Sequence, residues 1–216
     1  LQRYGVSYLK GAGTTLVIAL VSTAIGCLIG FVVGVVQTIP VDKKRDSAAK
    51  RGLLRVVKMI LKAYVELFRG TPMIVQAVFI YYGLSQMFQI QLGMWSAAFL
   101  VVSINTGAYM AESVRGGIIS VDPGQMEGAK AIGMTHVQTM VNVIMPQAIR
   151  NIIPQIGNNY IINVKDTSVM FIISFTEFFA AHRYIVGINN MYFPSAAIEM
   201  IGYLILTLVA SILLRL

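Results

Sequence analysis

Residues 127–146 read EGAKAIGMTHVQTMVNVIMP. A short polar helix carrying the small residues Gly128, Ala129 and Gly133 lies between apolar segments, and Pro146 closes the stretch thirteen positions after Gly133. Just upstream, Asp122-Pro123-Gly124-Gln125 predicts a helix start. Asp122 suits the N-cap and Pro123 the first helical position. Glu127 then falls in the first turns, where the helix dipole favours an acid. Gly128, Ala129 and Gly133 would let another protein's surface approach the backbone closely. The competing reading is an ordinary interfacial amphipathic helix.

Composition places the flanking segments in a bilayer. Charged residues make up 12% of the 216 and apolar ones 56%, and mean hydropathy is +0.73. An average soluble domain is about 25% charged. Residues 11–41 carry no charge, and neither do residues 70–111. A crossing needs about 20 apolar residues, so the first run holds one span and the second holds two. The turn between those two is expected near Ser85–Gly93, where Gln86, Gln89, Gln91 and Gly93 interrupt the pattern. The first apolar run is too long for a cleavable signal peptide and lacks a small-residue cleavage site. Polar residues are expected beyond both Leu1 and Leu216. Cys27 is the only cysteine, which excludes an intrachain disulfide.

Sidedness follows from the positive charge. Of 17 Lys and Arg, eight fall between Asp42 and Lys62: Lys43, Lys44, Arg45, Lys50, Arg51, Arg55, Lys58 and Lys62. The 85–93 turn has none. The positive-inside rule puts the first loop in the cytosol and the turn outside. Spans are expected at roughly 14–37, 66–87, 94–113, 147–164 and 195–215, with 167–185 as a partial or re-entrant helix. That fold is an all-α integral membrane protein with five transmembrane helices, a cytosolic coupling helix and a broken helix after the fourth span. The N-terminus is then outside, the C-terminus inside, and a loop over about 114–146 cytosolic, within one domain spanning 1–216. A six-span count, with 167–185 crossing fully, would put the C-terminus outside. The net charge of +8 is explained by cytosolic loops facing anionic membrane lipid and requires no nucleic acid.

The 127–146 stretch resembles the coupling motif of permease subunits of ABC importers: Glu-Ala-Ala, three residues, Gly, nine residues, Ile, one residue, Leu-Pro. Gly128, Val143 and Met145 depart from that pattern in identity but keep its size class. Further stretches resemble the subfamily for polar amino acids: Tyr64 to Pro72, ending Arg69-Gly70-Thr71-Pro72; Gly107 to Gly116; and Lys165-Asp166-Thr167-Ser168. Together they cover nearly the whole chain. The resemblance implies the type I importer (MetI-like) fold in a bacterial inner membrane. It implies an ATP-driven importer working by alternating access, and a coupling role for Glu127, Gly128, Ala129, Gly133 and Pro146. The implied partners are a cytosolic ABC ATPase dimer, a second permease copy or paralogue, and an extracytoplasmic amino-acid-binding protein or domain. ATP and Mg would bind the ATPase, and the permease itself would carry no cofactor.

Substrate-pathway candidates come from depth and charge. If Arg150 marks the cytosolic interface, fifteen residues at ~1.5 Å each carry Lys165 past the middle of a ~30 Å core. Lys165 and Asp166 are then adjacent opposite charges deep in the membrane, where ionisable side chains face a cavity or a partner. Thr167 and Ser168 are expected to cap a following helix, so the chain would break there and offer helix ends to a zwitterion. The alternative is that Lys165 and Asp166 only stabilise the break. Glu66 lies four residues from Lys62 and three from Arg69, and Glu112 lies three from Arg115, so both have ion-paired readings beside a pathway role. Asn105 and Tyr109 share one face of the third span. Trp95, Tyr192 and Phe193 suit the outer interface. His136 and His182 are far apart with no carboxylate at ligand spacing, which argues against a metal site.

Rival classes fit less well. A secondary transporter in one chain usually carries inverted repeats, and no segment recurs here. A membrane enzyme needs a convergent nucleophile and base or a metal set, and a channel leaves the 127–146 loop unexplained. The phosphate-binding pattern G-x-x-x-x-G-K-[ST] is absent, so ATP hydrolysis is not expected of this chain.

Overall fold

A computed structural model describes residues 4–41 and 47–214. Lys43, Lys44 and Arg45 of the basic loop, and the last residue of the expected final span, lie outside the described residues. Every regular element among those described is helical: α1 Gly5–Thr38, α2 Ala48–Gly70, α3 Met73–Phe88, α4 Met94–Ile119, α5 Pro123–Ala131, α6 His136–Thr139, α7 Met145–Asp166, α8 Phe178–Asn189 and α9 Tyr192–Leu213. A π-helical turn, Met140–Ile144, joins α6 to α7, and a 3₁₀ segment, Thr167–Ile173, extends α7.

Among the described residues three helices are long and apolar enough to cross a membrane: α1, α4 and α9. A fourth crossing is available to the run His136–Ile173 with α8, which bend by 50° at their junction. Helix α3 is apolar but only 16 residues long. Two expected boundaries move. Helix α1 begins at Gly5 rather than near residue 14. The expected 66–87 span is interrupted, because Pro72 has no N–H to continue a helix and disfavours helical backbone at Thr71. Thr71 is extended, and the apolar helix starts at Met73.

Helix α2 is therefore a separate amphipathic helix. Arg51, Arg55, Lys58, Lys62, Glu66 and Arg69 share it with exposed Leu53, Val56, Met59, Ile60 and Leu67, and Val65 is its one buried side chain. The turn after α3 closes on Gln89, whose φ of 57° is left-handed, and α4 resumes at Met94.

Helix α1 lies along α4 through a stripe of small residues. A Cβ on Gly26 would sit 2.6 Å from Thr106 Cβ, one on Gly30 2.4 Å from Met110 Cβ, and one on Gly34 2.7 Å from Val114 Cβ. Close backbone approach of this kind replaces the missing hydrophobic drive between helices in lipid. Ile18, Val101, Val102, Met170, Ile173 and Phe175 form one apolar cluster. Met110, Val114, Ile118, Ile144, Ala148 and Ile152 form another towards the opposite end of α4. Gly30→Leu is expected to cost about 1–3 kcal/mol by overpacking, read as a lower melting temperature and a lower yield of detergent-extracted protein. Wild-type stability of that variant would show that α1 and α4 are not in such contact.

Candidate functional site

Where α2 ends, the break at Thr71-Pro72 strands backbone carbonyls that two amides recover. Gln76 Nε2 donates to Phe68 O and to Thr71 O, both at 2.9 Å. Asn105 Nδ2 donates to Phe68 O at 3.2 Å and to Gln76 Oε1 at 2.9 Å. A second knot ties α7 to α1 and α4. Asn163 Nδ2 donates to Thr23 Oγ1 at 2.8 Å and to Thr106 Oγ1 at 2.9 Å. Both knots are buried, and such groups need partners when water is excluded.

Between the knots lies a cavity of about 300 Å³. Thr71, Pro72 and Met73 line one side, Asn105, Thr106 and Tyr109 of α4 the next, and Asn159, Ile162, Asn163 and Asp166 of α7 the last. Asp166 is the single carboxylate among these residues, and no cation lines the space. The amides already serve the protein, since Asn159 also donates to Gln155 O at 2.9 Å. Among the described residues the Asp166 carboxylate accepts no hydrogen bond and forms no ion pair, its sequence neighbour Lys165 acts on it only at longer range, and it is half-buried.

Three of the eight expected pathway residues, Asn105, Tyr109 and Asp166, thus share one cavity. Lys165 is exposed and does not line it. Adjacent helical residues point about 100° apart, and Lys165 and Asp166 form no ion pair among the described residues. Thr167 and Ser168 do not cap a new helix. The buried Thr167 hydroxyl donates backwards to Val164 O at 3.1 Å, and the chain tightens into 3₁₀ geometry instead of breaking. The break comes later, after Ser174, whose φ is 62°.

Glu66 and Glu112 line a different, charged cleft between α2 and α4, with Lys58, Lys62, Arg69 and Arg115. Lys62 and Glu66 pair at 3.5 Å. Glu112 accepts from Arg115 Nε at 3.1 Å, and Arg115 Nη2 binds it too. Arg69, expected opposite Glu66, instead reaches Glu112 at 3.9 Å.

Residues 123–131 form the helix expected for them. Asp122 caps α5 by accepting from Gly124 N at 2.7 Å, and Pro123 takes the first position. Glu127 and Gly128 are exposed, and nothing lies within 4 Å of a Cβ built on Gly128. Ala129 is buried. Gly133 has φ +85° and follows the helix as its C-terminal turn, with Gly133 N donating to Lys130 O at 3.0 Å and Met134 N to Ala129 O at 3.1 Å. Its glycine is thus favoured by backbone conformation, and the space above it is open. Pro146 stands in the first turn of α7. It lacks an N–H for the ordinary bond to residue 142, and Met145 N donates five residues back to Met140 O, giving the π turn.

The sequence reading missed a buried polar group where α1, α8 and α9 meet. Glu177 caps α8, accepting from Phe179 N at 2.8 Å and Ala180 N at 2.7 Å, and receives Tyr203 OH at 3.2 Å. Beside it His182 Nδ1 lies 3.4 Å from Glu199 Oε2 and 2.8 Å from Ser195 Oγ, which also meets Tyr8 OH at 2.7 Å. His182 does have a carboxylate partner, seventeen residues on. Among the described residues no group of three or more His, Cys, Asp or Glu could hold a metal.

Residues 47–216 match the family described as the binding-protein-dependent transport system inner membrane component. The glutamine transport system permease protein of Escherichia coli (strain K12) is 33% identical over 208 residues, 96% of this chain and 89% of the relative. The arginine transport system permease protein of Bacillus subtilis (strain 168) is 34% identical over 165 residues, 76% of this chain and 69% of the relative. Among solved structures, an amino acid ABC transporter described with histidines superposes with a TM-score of 0.87 at 33% identity, covering 99% of this chain and 93% of that one. An inward-facing methionine ABC transporter superposes at 0.69 with 20% identity, over 96% and 94%, and shares the fold. The chain belongs to the binding-protein-dependent permease family: it is the multi-pass membrane subunit of an ATP-driven amino acid importer, and hydrolysis resides in a separate subunit.

Proposed function

We propose that this permease carries a polar, uncharged or basic amino acid inward through the cavity bounded by α4, α7 and the Thr71-Pro72 break. The carrying observation is Asp166, a carboxylate with no hydrogen bond or ion pair among the described residues, in a space lined by amides, hydroxyls, Pro72, Met73 and Ile162 and without a cation. A carboxylate there attracts an ammonium or guanidinium and repels an acidic side chain. The relatives that move glutamine and arginine fit that preference. Asn105, Tyr109, Thr167 and Ser168 position the walls, and Lys165, Glu66 and Glu112 act on the approach to them.

Coupling runs through residues 122–146, where Glu127, Gly128, Ala129, Gly133 and Pro146 seat the loop on a cytosolic ATPase dimer that binds ATP and Mg. A second permease copy or paralogue and an extracytoplasmic amino-acid-binding protein or domain complete the assembly. Orientation follows the basic segment of α2: cytosolic, with five spans, the N-terminus outside and the C-terminus inside.

The test is ATPase stimulation of the reconstituted complex by a panel of amino acids. Glutamine, histidine or arginine should stimulate, and glutamate and aspartate should not. Strongest stimulation by glutamate would overturn the role given to Asp166.

A further inference from the structure

Two cavities lie in series along α4. The amide-lined one takes Asn105, Thr106 and Tyr109, and the charged cleft takes Glu112 and Arg115, the next turns towards the coupling loop. Tyr109 lines the first and not the second, and Glu112 the second and not the first. One side chain bridges them. The Arg69 guanidinium carbon stands 5.6 Å from the centre of the Tyr109 ring, and Arg69 Nη1 is 3.9 Å from Glu112 Oε2.

Arg69 is placed to move. It is the last residue but one of α2, next to the Gly70-Thr71-Pro72 break, and α2 buries only Val65. The Gln76 and Asn105 amides pin Phe68 O, and Tyr64 and Val65 pack α2 onto α1 and α4, so the backbone beside Arg69 is held while its exposed side chain is free to turn. Exposed side chains change rotamer in picoseconds to nanoseconds, with no backbone rearrangement. Guanidinium is suited to the closure because one flat group can cover an aromatic face and bind a carboxylate at its edge.

We infer that Arg69, stacked on Tyr109 and tethered to Glu112, is the cytosolic gate of the amide-lined cavity. Substrate leaves when the Arg69 side chain turns off Tyr109, joining the two cavities. Glu112 positions Arg69, and Arg115, which binds the same carboxylate, holds Glu112 towards the cleft. This rests on reading the amide-lined cavity as the substrate pathway.

The test uses the complete transporter in proteoliposomes. Ile162, which lines the cavity, is replaced by cysteine in a Cys27→Ala background, and an impermeant thiol reagent is applied to the ATPase face or to the opposite face. With Arg69 present, labelling from the ATPase face in the absence of nucleotide should be slow. Arg69→Ala should accelerate it by roughly tenfold, a shift that loss of two weak contacts can produce. Labelling from the opposite face should stay at the Arg69 rate. Arg69→Lys keeps the charge for Glu112 but loses the planar stack, so its rate should fall between; it carries the test if the alanine variant does not assemble. Equal rates with and without Arg69 would overturn the gate, and so would acceleration from both faces, which marks a loosened fold. The pathway reading is judged separately, by whether uptake depends on Asp166.

Discussion

Gly133→Leu is expected to abolish transport and substrate-stimulated hydrolysis while insertion into the membrane continues. Two effects converge on this position. At φ +85° a leucine pays for left-handed backbone, a strain of about 1–3 kcal/mol. The turn would relax and redirect Met134 and Thr135, which start α6. The second effect concerns the partner. Nothing among the described residues lies within 4 Å of a Cβ at Gly133, so a clash with a larger side chain is expected from what docks there.

Gly133→Asn separates the two. Asparagine tolerates positive φ far better than leucine but still adds bulk over the turn. If close docking is the requirement, Asn should couple poorly, with uptake and stimulated hydrolysis well below wild type in an assembled complex. Wild-type uptake by the Asn variant would reduce Gly133 to a turn residue. Wild-type uptake by the Leu variant would remove both roles.

The helix and turn over 122–133 were legible because their signals are local. Asp122-Pro123 sets one end of α5 and Gly133 the other, and neither depends on distant packing. The apolar runs were legible for the same reason, being averages over twenty residues. Thr71-Pro72 was visible too, yet hydropathy outweighed it: the 66–87 expectation counted apolar residues across a proline that ends the helix. The error at Lys165-Asp166 is of another kind. Charge at the expected membrane depth pointed to Asp166, which lines the cavity beside α4, but a helix can carry two charges on different faces without breaking, and α7 does so.

Ser174, Thr176 and Glu177 hold the actual break. Embedded among Phe175, Phe178 and Phe179, they read as part of an apolar stretch. Glu199 and His182 form a pair that no spacing along the chain announces, because α8 and α9 must first pack. An acid within an apolar helix such as α9 was the signal that could have found it, since membrane-embedded carboxylates rarely lack a purpose. The Arg69 contact with Glu112 has the same origin. Within α2 the nearer acid by sequence is Glu66, and only the crossing of α2 over α4 makes Glu112 the partner.

Asp166→Asn should assemble with its ATPase and lose uptake. The substitution keeps size and hydrogen-bonding capacity and removes the charge that meets a ligand ammonium or basic side chain. A hydrogen bond to a charged group is worth about 1.5–3 kcal/mol, so uptake should fall by roughly ten- to a hundredfold. Lys165 supplies the discriminating control. Were Asp166 present only to neutralise Lys165, the double change Lys165→Gln with Asp166→Asn would restore transport, because no charge is then left alone. The exposed position of Lys165, and the absence of an ion pair between the two among the described residues, argue that it will not. Asn105, Asn159 and Asn163 already bond to the protein, so they cannot replace the lost charge. Recovery of uptake in the double variant would overturn ligand contact by Asp166 and leave the pair as a structural device. Loss of uptake in both, with assembly intact, is the expected result.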